Sequence, residues 1–137
     1  DRVCRISAGA DRRLPWEDLF FSENWETSLR MDEAGRFLEP LQAVRLGPSA
    51  SNKQPWRLLR QGDSWHFYLK RTPNYPPQFL GDLLQIADLQ RIDIGIAMAH
   101  FALSLQEEGL RGNWVVSDPA LERAERPLEY IITWQAA

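Results

Sequence analysis

Apolar positions recur with helical spacing at Pro40, Leu41, Val44 and Leu46, which predicts a short helix from Glu39. Gly47-Pro48 should stop it, because glycine can take a left-handed terminating conformation and proline cannot continue a helix. Two apolar runs follow, Trp56 to Arg60 and Trp65 to Lys70, separated by Gln61-Gly62-Asp63-Ser64, which is the pattern of a β-hairpin. In the second run Trp65, Phe67 and Leu69 alternate with His66, Tyr68 and Lys70, as a strand with one buried and one wetter face requires. Arg71 to Gln78 holds prolines at 73, 76 and 77 and is expected to be a loop.

The strongest helical signal runs from Asp88, a suitable amino cap, to about Glu108, with Gly109 closing it. Between Ile94 and Leu105 this segment is apolar nearly all the way round, so it is expected to be the buried central helix. Gly95 inside it costs stability relative to alanine, which predicts a tight packing contact or a close ligand there. Trp114 to Val116 and Tyr130 to Trp134 have the character of short strands, and Asp118 to Pro127 that of a polar connector with one turn of helix. Asp1 to Glu33 shows no sustained period. One turn of helix fits Pro15 to Phe20, with proline at the first helical position and Glu17 and Asp18 in the first turn; the remainder is expected to be a connecting arm.

The chain has 137 residues, 44% of them hydrophobic and 26% charged, which fits one domain with a single core and excludes disordered, collagen-like and solenoid classes. Six tryptophans point to broad aromatic packing surfaces or a planar ligand. A net charge of -3 and a pI near 5.4 argue against a globally basic nucleic-acid binder. Cys4 is the single cysteine, so no internal disulfide exists, and a reducing, cytoplasmic compartment is expected. The apolar run Ile92 to Leu105 is broken by Asp93, His100 and Ser104 and is too short to span a bilayer, so no membrane partner is expected. The amino terminus lacks a signal-peptide pattern, and the chain opens on Asp1 rather than methionine, the expectation for a piece of something longer.

Several chemistries lack their anchors. There is no Cys-x-x-Cys or His-Glu-x-x-His, only two histidines 34 positions apart, and no Gly-x-Gly-x-x-Gly, Walker loop or Gly-x-Ser-x-Gly elbow, so no metal residue is named and dinucleotide-fold, P-loop and serine-hydrolase readings lack their anchors. What remains is Gly47-Pro48-Ser49-Ala50-Ser51-Asn52-Lys53-Gln54-Pro55-Trp56, which packs five hydrogen-bonding side chains between two prolines. Short hydroxyl and amide groups there could grip a flat heterocycle rich in carbonyls and ring nitrogens. The same residues also suit a plain helix stop and turn, with Asn52 bonding its own backbone.

The phrase Ala43 to Arg57 resembles the flavin-contacting segment of the nitroreductase family, in which a helix leads into a P-S-x-S-N-x-Q-P-W loop. Ile92-Asp93-Ile94-Gly95-Ile96-Ala97-Met98-Ala99-His100-Phe101 resembles the start of that family's central helix, and Gly112-Asn113-Trp114 and the closing strand follow in the same order. The resemblance is nearest to members in which one chain carries two nitroreductase-like halves, and this chain looks like the second. It implies an α+β layered fold, with helices packed on a small, mainly antiparallel sheet. Residues 1–36 would be a connecting arm from a preceding half and 37–137 a nitroreductase-like half domain.

The resemblance further implies an FMN-dependent oxidoreductase that takes hydride from NADH or NADPH and reduces a nitroaromatic, a quinone or a similar planar acceptor. Pro48, Ser49, Ala50, Ser51, Asn52 and Gln54 would bind the cofactor at the isoalloxazine edge, with Lys53 a weaker candidate, and no catalytic side chain is named because the cofactor would carry the redox chemistry. The family's arginine-rich phosphate motif has no counterpart, since Asp11-Arg12-Arg13-Leu14-Pro15-Trp16 resembles the linker between halves. A missing amino-terminal half, or a second copy of the chain, would complete the site. The alternatives are a noncatalytic partner subunit that has kept the fold and lost flavin, and a single-stranded nucleic-acid module using Arg57, Arg60, His66, Lys70 and Arg71 between Trp65 and Tyr68. His100 and Ser104, one turn apart, are expected to be a hydrogen-bonded core pair, and Trp56, Trp65 and Trp114 to fill the core.

Overall fold

The computed structural model describes residues 9, 11–74, 88–121 and 128–137. Cys4, most of the proline-rich loop after Arg71 and the second half of the Asp118 to Pro127 connector lie outside them. The described elements run in the order α1 (Trp16–Leu19), β1 (Phe20–Ser22), α2 (Leu38–Leu46), β2 (Trp56–Gln61), β3 (Ser64–Lys70), α3 (Leu89–Glu107), β4 (Gly112–Val115) and β5 (Leu128–Ala136), with single 3-10 turns at Met31–Glu33, Gly35–Phe37 and Ala50–Asn52.

The strands form one sheet in the order β1-β2-β3-β5-β4. Among the described strands only the β1–β2 pair is parallel, so this is an α+β fold on a mainly antiparallel sheet. The β2–β3 hairpin turns at Gly62, whose φ of +55 suits glycine. One face of the sheet presents Phe20, Trp56, Leu58, Trp65, Phe67, Leu69 and Trp134 to α2 and α3. Phe101 of α3 is the hub, with its ring 5.3 to 6.4 Å from those of Phe37, Trp65, Phe67, Trp114 and Trp134. The opposite face carries a smaller cluster of Phe21, Trp25, Leu59, Tyr68 and Leu128.

Four details differ from the sequence expectation. The arm is partly built into the fold: β1 pairs with β2 as Phe20↔Leu58 to Ser22↔Arg60, and Trp16, Leu19, Phe20, Leu29 and Ala34 join the core. Three residues are too few to show a strand period. Gly47 is not left-handed (φ -58); it is small because a Cβ would stand 3.1 Å from the Val44 carbonyl oxygen. The long helix is not buried on most sides, since Gln90, Asp93, Ile94, Ala97, Phe101 and Leu105 face inward while Ile92 and Leu103 face solvent. Around Gly95 no atom of the described residues lies within 4 Å of where a Cβ would stand, so the tight packing contact expected there is absent among them.

Candidate functional site

The loop that follows α2 is held in a costly shape. Ser51, Asn52 and Gln54 all have positive φ, at 49, 53 and 48. For a residue with a Cβ this conformation costs about 1–2 kcal/mol, so surrounding contacts must impose it. Within the loop, the Asn52 N–H donates to the Ser49 carbonyl at 3.0 Å, Lys53 N–H to the Ala50 carbonyl at 3.2 Å, and Gln54 N–H to Ser49 Oγ at 2.8 Å. From the strand side, the buried Arg57 guanidinium donates to the carbonyls of Gln54 at 2.9 Å and Trp56 at 2.6 Å.

Behind the loop stands Asp93 of α3, whose Oδ1 accepts the Ala50 N–H at 3.0 Å. Asp93 is 2% exposed, and its Oδ2 has no hydrogen-bond partner among the described residues. Burial pushes the carboxyl above its ordinary range, and the bond from Ala50 opposes that rise only in part. Gly9, Arg12 and Leu14 meet the loop through main-chain hydrogen bonds. Asn52 Nδ2 donates to the carbonyls of Gly9 at 2.6 Å and Arg12 at 2.7 Å. Gln54 Oε1 accepts the Leu14 N–H at 2.8 Å, and Gln54 Nε2 donates to Asn52 Oδ1 at 3.1 Å. Arg13 reaches Asn52 Oδ1 and the Leu46 carbonyl, and Arg45 Nε donates to the Leu14 carbonyl.

Of the six residues singled out in sequence, the structure therefore places all on one loop but gives them different work. The amides of Asn52 and Gln54 hold the arm, and Gln54 is only 3% exposed. Pro48 and Ser51 are exposed, and Ser49 and Ala50 half-buried, so a ligand at the outer edge of the loop would meet these four. Two cations lie on the arm side of the loop, Arg13 at Asn52 Oδ1 and Arg45 at the Leu14 carbonyl. Two grooves of about 540 and 520 Å³ lie elsewhere; neither is lined by Pro48 to Gln54.

Other expectations change. No hydrogen bond joins His100 and Ser104, which are half-buried. Trp65 and Tyr68 are fully buried, so the hairpin offers no aromatic face on which a nucleic-acid base could stack. Trp56 and Trp65 fill the core, while Trp114 is half-buried against it.

A polar cluster that spacing does not reveal lies on the second face of the sheet. Thr133 Oγ1 donates to the Ser117 carbonyl at 3.1 Å and accepts from both His66 Nδ1 and the Tyr130 hydroxyl at 2.7 Å. Burial pushes the His66 imidazole below its ordinary value, with Asp118 acting weakly the other way. Among the described residues, no group of three His, Cys, Asp or Glu side chains could hold a metal ion, and no helix is long and apolar enough to cross a membrane.

Residues 20–105, more than half of the chain, match the family model described as "Putative TM nitroreductase". The fold is similar to the crystal structure of a "putative nitroreductase" from Thermotoga maritima MSB8, with a TM-score of 0.50 at 19% identity. That match covers 91% of this chain and 41% of the other, so the chain spans less than half the length of that relative. No curated protein matches the chain.

Proposed function

The chain belongs to the nitroreductase family that its residues 20–105 match, and from that premise we propose that it forms part of an FMN-dependent NAD(P)H oxidoreductase acting on nitroaromatic, quinone or similar planar acceptors. The observation that carries this reading is the loop from Gly47 to Gln54. Its left-handed backbone, braced from behind by Asp93 and from the strand by Arg57, turns a short polar edge outward between α2 and β2. The exposed and half-buried groups of Pro48, Ser49, Ala50 and Ser51 suit the carbonyl and ring-nitrogen edge of a flat heterocycle. Asn52 and Gln54 would shape that edge by fixing the arm beside it. Arg13, beside Asn52, would supply positive potential for an anionic cofactor. FMN, when bound, would supply the hydride and electron chemistry.

On this reading residues 37–137 are a half domain, and residues 1–36 connect it to a preceding half while contributing to its core. A second unit, the missing half or another copy, completes the site, and the setting is cytoplasmic, in keeping with the lone Cys4. One observation favours a second reading: the arm already engages the amides of Asn52 and Gln54, as it would in a partner subunit that has kept the fold and lost flavin.

Titration of FMN with the chain separates the two. The flavoprotein reading expects quenching of flavin fluorescence, and Ser49→Ala should weaken binding about threefold to tenfold, the factor for one lost hydrogen bond of about 0.5–1.5 kcal/mol. Absence of quenching even with a second half supplied, or unchanged affinity in Ser49→Ala, would sink the assignment.

A further inference from the structure

The groove of about 520 Å³ lies where α3 gives way to β4. The helix ends at Glu107, the chain reverses through Gly109 at φ +70, and the Leu110 N–H donates to the Leu105 carbonyl at 2.9 Å, so the last turns of α3 stand beside the edge strand β4. Trp114 of β4 pairs directly with Trp134 of β5, and both indoles turn toward Phe101 of α3. Gly112 leaves room for this. A Cβ there would stand 2.3 Å from Trp134 Cζ2, so without one the ring lies across the strand and forms one wall of the groove, and half-buried Trp114 forms another. Among the described residues Arg111 is the one charged side chain that lines the groove, and its guanidinium has no hydrogen bond or ion pair with any of them. The main chain beneath it is fixed, because the Arg111 carbonyl accepts the Ala137 N–H at 3.0 Å.

We propose that this groove binds a small planar aromatic carboxylate, with its ring against the two indoles and its carboxylate on Arg111. Flat indole walls favour a flat ring, by stacking or by edge-to-face contact. The guanidinium fork matches a carboxylate with two parallel hydrogen bonds, and no acidic side chain lines the groove to compete for it. Glu107 and Glu108 are exposed outside it, and the negative end of α3 is met by a different cation, since Arg36 donates to the Glu108 carbonyl at 3.0 Å. The side-chain amides of Gln106 and Asn113 line the groove without partners of their own among the described residues, and they suit a hydroxyl or carbonyl substituent on the ring. A volume of about 520 Å³ falls within the range of small-ligand sites. Gln106 stands 13 residues along α3 from Asp93, which braces the loop, and helical rise makes that about 20 Å. The site is therefore separate from the flavin reading and does not rest on it.

Heteronuclear NMR on the full, isotope-labelled chain tests this, with naphthalene-2-carboxylate as the probe and naphthalene-2-carboxamide as its uncharged counterpart. The carboxylate should give saturable shifts at the Trp114 indole N–H and the neighbouring amides of the groove, with a dissociation constant in the millimolar range that suits so small a ligand. It should bind about tenfold more tightly than the carboxamide, the factor for one charge-assisted fork. Arg111→Gln, at an exposed position, should abolish that preference and leave carboxamide binding unchanged. Arg36→Gln removes a cation at the same helix end that does not line the groove, and should leave the preference intact. Trp114→Ala should weaken both probes, with circular dichroism reporting whether the variant folds; if it does not, the arginine pair decides alone. Shifts that fail to saturate, or that centre on Ser49 to Gln54, would overturn the proposal. So would a carboxylate preference that survives Arg111→Gln, or one that Arg36→Gln removes equally. FMN titration of the Arg111→Gln variant reports on the flavin reading separately.

Discussion

Two glycines show how far a residue's role depends on what surrounds it. At Gly112 an added Cβ would stand 2.3 Å from the Trp134 ring and 2.4 Å from the Gln135 carbonyl oxygen, with no flexible side chain to give way. Gly112→Ala is therefore expected to destabilise the fold by about 1–3 kcal/mol. At Gly95, where the methyl would meet open space on a helix, the same substitution should stabilise by about 0.5–1 kcal/mol. Urea unfolding of the two variants checks this, and equal effects would contradict the packing around Gly112. In sequence the expectation of a close contact fell on Gly95, because a helical period exposes an out-of-place glycine. Gly112 stood out only through its likeness to a family motif, since nothing near it in the chain announces that Trp134 will lie over it.

Among the elements, the arm and the loop hold one another. Asn52 and Gln54 bond to main-chain groups about 40 positions earlier, and the arm in return covers side chains that the sequence had offered to a ligand. Asn52→Ala removes the two bonds to Gly9 and Arg12, which should release the arm without unfolding the sheet. Trypsin cleavage after Arg12 or Arg13 is then expected to quicken roughly tenfold, the factor for about 1.4 kcal/mol of lost local stability. An unchanged cleavage rate with an unchanged circular dichroism spectrum would show that these bonds do not hold the arm. The closing strand β5 makes a similar point. Simple alternation would put Tyr130, Ile132 and Trp134 on one face, but a register shift opposite Phe67 and Tyr68 leaves Ile131 as the extra residue. Tyr130 then shares the second face with Thr133, while Ile132 and Trp134 pack toward α3. The bulge depends on β3, a strand about 60 residues away, so no local pattern could show it.

At the scale of the whole molecule, two buried groups set opposing dependences on pH. His66 titrates below the ordinary imidazole value of 6.5 because burial disfavours its charged form. Its stabilising contribution is therefore present above that value and lost as pH falls toward the lower folded one. Asp93 titrates above the ordinary carboxyl value of 3.8, so its contribution is present below that value and lost as pH rises through the higher folded one. Urea midpoints between pH 4 and 7 should show His66→Gln losing less stability than the parent on acidification, and Asp93→Asn losing less on the way up from pH 4. Parallel curves for parent and variants would refute both assignments. The sequence by itself determined the elements whose signals are local: the stop at Gly47-Pro48, the hairpin with its turn at Gly62, the cap at Asp88 and the family likeness of the loop. Each rests on residues close together in the chain, where sterics and periodicity act directly. Only the tertiary structure decided that three residues of the arm form a strand, that Asp93 braces the loop through Ala50, that the Asn52 and Gln54 amides face the arm, and that one side of α3 faces outward. Those outcomes depend on which distant surfaces meet, and an apolar pattern says that a face seeks a partner without saying which partner it finds.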